Sequence, residues 1–302
     1  MARIVAYNQD MQDQKSRRKW VVLHKKRGET PLEVLEKWRE ANPAYVGAPM
    51  SYAGRLDPMA EGKLLVLIGD ECKRQSAYTK LDKEYDIEVL LDVKTDTGDV
   101  LGFPDGKAIE AGMLGKRARS GPLGQVLPSF SEHARLSAFA REIGSHSRRY
   151  PVFSSKTVDG KPLFLYALEG ALDTIRIPEH IETIYRIRQL GSYTLTRDEL
   201  HNRITSLLAN VSRSDEPSKL LGADFRQDAI RTKWSELFTV MPEHSFTVLR
   251  LRVTCASGAY MRTLAERIGA SLGTSALALT INRTKLGTYL PLGPFGLWIR
   301  RY

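Results

Sequence analysis

The sequence predicts an α+β fold: a mixed, largely antiparallel sheet flanked by helices and loops. Three observations carry that expectation. Two segments alternate apolar and polar residues with period two, two helix starts carry full capping signatures, and strand-like and helix-like segments interleave with hairpin-like pairs without any internal repeat.

Taken in order, a polar lead ends in the basic run Lys15–Lys19, and Trp20–His24 then reads as a short strand. Thr30-Pro31-Leu32-Glu33 starts a helix: Thr30 caps the exposed amides, Pro31 suits the first turn, and Glu33 completes a capping box. Val34, Leu35 and Trp38 form its apolar side, and Asn42-Pro43 ends it. A turn-rich stretch from Tyr45 to Gly62 precedes the apolar run Leu64–Ile68, read as a buried strand. Tyr85, Ile87, Val89 and Leu91 share one face of the next strand. Residues 102–150, rich in Gly, Ser and basic side chains, read as a mobile, partly helical excursion. Thr196 and Glu199 form a second capping box, followed at helical spacing by Leu200, Ile204, Leu207, Leu208 and Val211. Beyond the polar linker Ser212–Ser218, another helix carries Leu237 and Phe238. Leu249, Leu251, Val253 and Cys255 face one side of a strand, with Arg250 and Arg252 on the other. The last helix runs from Tyr260 to Leu272, with Met261, Leu264, Ile268 and Leu272 inward and Gly273 as terminator.

The 302 residues carry 45 Lys and Arg against 35 Asp and Glu, a net charge of +10. That surplus suits a polyanionic partner, because each neutralised phosphate releases counterions, although charge alone is equally compatible with a basic protein of another role. The longest apolar run is far too short to cross a bilayer and no apolar signal segment opens the chain, so a cytoplasmic location is expected and no membrane partner. The two cysteines, Cys72 and Cys255, are expected as buried, reduced thiols. The scattered histidines offer no metal-ligand spacing, and no metal is expected.

Gly54–Lys63 has glycines and a Gly-Lys pair, but its spacing is too long for a phosphate loop and Leu64 replaces the hydroxyl residue. Centred on Asp57, the same stretch is different: Pro58 pushes the aspartate to extended geometry, and Gly54 and Gly62 bracket it with turn-permitting positions. Such a loop can hold one carboxylate over a cavity, although an aspartate capping a turn would look the same.

Gly54-Arg55-Leu56-Asp57-Pro58-Met59-Ala60-Glu61-Gly62 resembles the catalytic loop of TruB-type pseudouridine synthases, and further blocks follow in the family's order. They are Lys83-Glu84-Tyr85, Thr95-Asp96-Thr97-Gly98-Asp99, the stretch Pro151–Ser155 with Val158-Asp159-Gly160, Ser257–Ala265, and Arg283-Thr284-Lys285-Leu286-Gly287. The resemblance implies a pseudouridine synthase catalytic domain with an RNA-binding cleft. It also implies isomerisation of uridine to pseudouridine without a cofactor, and a substrate in structured RNA, the T-loop uridine 55 of tRNA. By the same resemblance Asp57 is the nucleophile, Tyr85 stacks on the extruded base and is a candidate for proton transfer at carbon five, and Arg262 pairs with Asp57. Tyr260 and Ile281 wall the pocket. Thr97 and Asp99 are read as turn formers, Tyr85 also fits an ordinary strand tyrosine, and Arg262 also fits a pair with Glu266 one turn on. Arg148 and Arg149, with Lys116–Arg119, become candidates for phosphate contacts.

The chain departs from the family pattern on the RNA-facing side. Tyr52 stands where histidine is usual and Arg55 where threonine is usual; the early L-D-K-P-x-G block becomes Leu23-His24-Lys25-Lys26-Arg27-Gly28; and the middle block's lysine sits one position early, at Lys156. These departures keep open a related synthase acting on another structured RNA; a non-catalytic RNA-binding or folding protein on the same scaffold is the other alternative. The expected organisation is a basic lead (1–19), one monomeric catalytic domain (20–290) with insertions at about 104–150 and 191–245, and a short tail (291–302) without a PUA domain.

Overall fold

The computed structural model describes residues 18–106, 130–211, 226–241, 243–293 and 295–302. A nine-stranded sheet in the order β1-β3-β10-β4-β9-β8-β5 forms the frame, with β2 paired to β3 and β11 to β10. Its strands are β1 (Trp20–Lys25), β2 (Met50–Ala53), β3 (Ala60–Ile68), β4 (Asp82–Leu91), β5 (Gly144–Arg149), β8 (Glu179–Thr196), β9 (Ser245–Cys255), β10 (Ala276–Leu292) and β11 (Phe295–Arg301). A separate two-stranded ribbon pairs β6 (Thr157–Val158) with β7 (Lys161–Pro162). Within the large sheet the strands pair antiparallel apart from β3 and β10, which run parallel over Ala60–Gly62 and Ile281–Arg283. The α+β expectation of a mixed, largely antiparallel sheet therefore holds.

Helices cover both faces. Tyr85, Ile87, Val89 and Leu91 of β4 and Leu249, Leu251, Val253 and Cys255 of β9 pack against α7 (Met261–Ser271) through Met261, Leu264, Ile268 and Leu272. α3 (Glu132–Glu142) lies on the same side through Ala138 and Phe139. On the opposite face Leu90, Val248, Leu277 and Leu279 meet α5 (Arg197–Ala209) and α6 (Gln227–Val240). α1 (Pro31–Glu40) covers the β1–β3 end, while α2 (Gln75–Thr79) and α4 (Leu163–Leu168) are short connectors. Both capping boxes form, at Thr30 with Glu33 and at Thr196 with Glu199.

Several boundaries differ from the sequence expectation. The "turn-rich" stretch holds β2, and β3 begins at Ala60, where its first three residues pair with β10. The expected excursion ends in α3 and β5, so Arg148 and Arg149 lie in a sheet strand; Lys116–Arg119 lies outside the described residues, as do Lys15–Arg17 and the Ser212–Ser218 linker. The expected tail is instead a hairpin, β11 folding back on β10 with Leu292 opposite Phe295. Cys255 is buried, but Cys72 is only half-buried, its thiol facing the Leu67 and Pro49 carbonyls. No helix among the described residues is long and apolar enough to cross a membrane.

Candidate active site

The Asp57 loop joins β2 to β3, and its two bracketing glycines are required by geometry. Gly54 has φ +84°, and Gly62 has φ +109° with its missing Cβ position only 2.4 Å from the Arg283 carbonyl oxygen across the parallel β3–β10 contact. The loop is tied down by cations. Lys25 Nζ donates to the Lys26, Pro58 and Ala60 carbonyls at 2.5–3.2 Å. Arg283 donates to the Gly54, Arg55 and Lys63 carbonyls at 2.8–3.3 Å. Leu56 is buried beneath, which leaves the Asp57 side chain facing outward, about half exposed at 48%.

Arg262, the second residue past the N-cap of α7, reaches that carboxylate. Its Nε donates to Asp57 Oδ2 at 3.0 Å, Nη1 to the Thr97 carbonyl at 2.8 Å, and Nη2 to the Phe153 carbonyl at 2.9 Å. Asp99 Oδ2 lies 3.7 Å from the same Nε. Burial works against the guanidinium charge, but the Asp57 and Asp99 carboxylates outweigh it and hold Arg262 above the ordinary arginine value. Asp99 is itself buried: desolvation and the Asp57 charge lift its carboxyl above the usual range, against the pull of Arg262 and of the Thr97 hydroxyl.

These groups open on a cavity of about 500 Å³, a volume in the small-ligand range. Asp57, Tyr85, Arg262, Tyr260, Ile281 and Arg55 all line it, together with Lys83 and Arg283. Sheet register explains the floor, since β10 sets Ile281 opposite Ile87 of β4 and Ala60 of β3, and Arg283 opposite Tyr85. Burial pushes the Tyr85 phenol up to about 12 despite the nearby Arg283 charge, which keeps it neutral at ordinary pH. Burial brings the Lys83 ammonium down to about 8, with the Arg283 charge adding to the effect. A smaller cavity of about 150 Å³, lined by Thr97, Asp99, Phe153 and Phe164, meets the first at Asp57 and Arg262.

Other expected residues stand elsewhere. Tyr52 packs toward Val34, Leu64 and Val66 under α1, because β2 turns that face to the α1 layer rather than to the cavity. Arg148 pairs with Glu142 at 3.4 Å and Arg149 with Glu179 at 3.9 Å; neither lines the cavity. Arg262 does not pair with Glu266, since Asp57 and the loop carbonyls occupy its donors. Beside its apolar residues the cavity carries the cations Arg55, Lys83, Lys156, Arg262 and Arg283. Sequence reasoning also passed over Asp99, a buried partner of Arg262 rather than only a turn former, and Lys25 and Arg283. The available signal was the five-residue Thr95–Asp99 cluster, in which Thr95, Thr97 and Asp99 are all buried. Among the described residues, no group of three His, Cys, Asp or Glu side chains is placed to hold a metal ion.

A family model described as TruB family pseudouridylate synthase (N terminal domain) matches residues 48–205, just over half of the chain, and that stretch includes Asp57, Tyr85 and Asp99. The chain belongs to this family. Among curated TruB relatives, the tRNA pseudouridine synthase B of Xanthomonas campestris is 28% identical over 232 residues, covering 77% of this chain and 52% of the relative. That of Borreliella burgdorferi is 25% identical over 274 residues, 89% of this chain and 70% of the relative. The chain thus spans about half the length of the first of these TruB relatives. A crystal structure of a Cbf5-Nop10-Gar1 complex is similar at 16% identity and a TM-score of 0.47, over 89% of this chain and 48% of that one.

Proposed function

We propose that this chain isomerises uridine to pseudouridine in structured RNA, with the T-loop uridine 55 of tRNA as substrate and Asp57 as nucleophile. The observation that carries the reading is the Asp57 carboxylate, accessible at the cavity yet fixed at 3.0 Å from the buried Arg262 guanidinium. A carboxylate so held is aimed before the substrate arrives.

In the reaction the bond from N1 to the ribose C1′ breaks, the uracil turns, and C5 bonds to C1′; C5 loses a proton and N1 gains one. Nothing is oxidised and no group donor is consumed. A uridine folded into RNA must be flipped out to reach Asp57, which costs a few kcal/mol, and stacking on an aromatic ring returns about 1–3 kcal/mol. Tyr85 supplies that ring at the floor beside Ile281, and its neutral phenol favours stacking over proton abstraction in the resting site. Tyr260 also lines the cavity. Arg148 and Arg149, outside the cavity, are left for contacts with RNA phosphates at a distance from the reacting base.

The test is pseudouridine mapping on T-arm RNA after incubation with the wild type and with Asp57→Asn. Formation at position 55 by the wild type alone is expected. Pseudouridine at the same level with Asp57→Asn removes the nucleophile assignment, and formation only in another transcript removes the substrate.

A further inference from the structure

The rim of the cavity carries a stack of side chains that the proposed chemistry does not use. In the β5–β8 register Arg148 lies opposite His180, so Tyr150, two residues on, stands diagonal to His180 on the same face. The Tyr150 amide continues the pairing by donating to the Pro178 carbonyl at 3.1 Å. The two rings stack with centroids 4.1 Å apart at 22°. His180 Nε2 lies 3.1 Å from the Gly258 carbonyl oxygen, so that nitrogen is the protonated one, and the bond ties the stack to the loop leading into α7. Tyr260 closes the group edge-on, 6.1 Å from Tyr150 and 5.8 Å from His180.

Lys156 completes the arrangement, with its Nζ 5.2 Å from the Tyr150 ring centroid. Its backbone is fixed where the Leu163 amide donates to the Lys156 carbonyl at 2.8 Å. Thr157, the next residue, begins β6 and is exposed, while Lys156 lines the cavity. Successive side chains of an extended segment point to opposite sides, so a lysine at 156 reaches Tyr150 and a lysine at 157 would not. Among the described residues no carboxylate pairs with Lys156. An aromatic face fixes the position of an ammonium without neutralising it. The charge is therefore held at the mouth of the cavity and remains available to an anion.

We propose that Lys156, seated over the Tyr150–His180 stack, is a phosphate-holding arm of the cavity rim that takes one phosphodiester of the RNA strand whose nucleotide enters the cavity. The inference rests on reading the cavity as an RNA site and adds a binding element on which this chain departs from the family pattern. Held by a neutral ring rather than a carboxylate, the arm releases no counter-charge when the phosphate arrives.

The experiment is a titration of T-arm stem-loop RNA at several KCl concentrations with wild type, Lys156→Ala, Lys156→Arg and Tyr150→Leu. Loss of one phosphate contact lowers the slope of log affinity against log salt by about 0.7–0.9, and that is the expected result for Lys156→Ala. Lys156→Arg keeps the slope, because a guanidinium also sits over an aromatic ring. Tyr150→Leu, which leaves Lys156 present but unheld, weakens binding in the same direction. A wild-type slope for Lys156→Ala overturns the arm, and wild-type binding by Tyr150→Leu overturns the role of the stack. If Tyr150→Leu does not fold by circular dichroism, Lys156→Ala, a change at a half-exposed side chain, decides alone. Binding needs no catalysis. RNA binding with the expected slope loss but no pseudouridine removes the enzymatic reading and keeps the arm; pseudouridine formation with an unchanged Lys156→Ala slope does the reverse; no RNA binding by the wild type removes both.

Discussion

Arg262 and Arg283 are buried guanidinium groups on two walls of one cavity, and opposite chemistry holds them. Arg262 faces carboxylates, Asp57 at 3.0 Å and Asp99 at 3.7 Å, and its charge is strengthened despite burial. Arg283 faces three backbone carbonyls and the Tyr85 phenol, and burial lowers it below the ordinary arginine value. Lys25 repeats the second arrangement under the loop, and Lys83, which donates to the Thr79 carbonyl, repeats it beside Arg283. A carboxylate partner stands where a cation steers the Asp57 side chain; carbonyl partners stand where a cation shapes backbone. Arg283 grips the loop at Gly54 and Arg55 and Lys25 grips it at Pro58 and Ala60, which leaves Asp57 presented between two clamps. Burying cations without a counter-charge is costly, so the second wall is where stability is given up for geometry.

The largest effect that tests this contrast belongs to Arg262→Met. It frees Asp57 and leaves Asp99 buried without its cation, and removal of one partner of such a pair costs about 3–5 kcal/mol. Expressed in the barrier, about 4 kcal/mol slows single-turnover pseudouridine formation roughly a thousandfold. Arg262→Lys keeps the charge but loses the planar, spread guanidinium whose Nε, Nη1 and Nη2 reach Asp57, Thr97 and Phe153 separately, and an intermediate rate is expected. A rate for Arg262→Met within tenfold of wild type breaks the comparison at its stronger side. Arg283→Met should register first in stability: three carbonyls lose their donor, and at about 1–3 kcal/mol for each unsatisfied buried group, partly relieved by water, a loss of about 3 kcal/mol in urea unfolding follows. A collapse of rate at unchanged stability would assign Arg283 to the chemistry instead and erase the difference between the walls.

How far the sequence reaches differs along the same line. The Asp57 loop is legible because its constraints are local: two glycines at positive φ and a proline right after the acid. The core faces of β4 and β9 are legible because both strands alternate against helices, and α1 and α5 because each carries its own cap. β8 was not foreseen. It lies toward the sheet edge with exposed residues all along, and bulges at Ile184/Arg186 and Gln189/Gly191 break the period of two. β11 pairs only with β10 and leaves Phe295, Leu297 and Ile299 exposed, so no buried face marks it as a strand. Asp99 looked like a turn former because its hydrogen bonds to Thr97 and Leu101 are local, whereas the turn's grip on Arg262 spans 165 positions from Thr97. Arg148 and Arg149 read as candidates for phosphate contacts, with no sign of the Glu142 and Glu179 pairs, because those partners belong to other elements.

The carbonyl-held side predicts a pH signature. Lys83 and Lys25 sit at about 8 in the folded chain against an ordinary value of 10.5, with burial as the leading cause for both. Between those values the unfolded chain binds more protons, so stability rises with pH; the stability involved is fully present above 10.5 and is lost as pH falls through about 8. Each lysine adds at most about 1.4 kcal/mol per pH unit in that window. Lys83→Met should remove one such contribution from the slope of urea-unfolding free energy between pH 8 and 10, and an unchanged slope would show that Lys83 is not held as described.

The smallest effect serves as the control. Thr196 caps α5 through a box with Glu199, on the sheet face away from Asp57, and none of its contacts reach the cavity lining. Thr196→Ala should cost about 1 kcal/mol of stability through the lost cap. Single-turnover formation at saturating RNA should then match wild type, because ordinary helix stability and the presentation of Asp57 are carried by different contacts. If that rate instead falls in proportion to stability, the two cavity walls are not separable from the scaffold, and the distinction between steering and clamping cations gives way to a single stability effect.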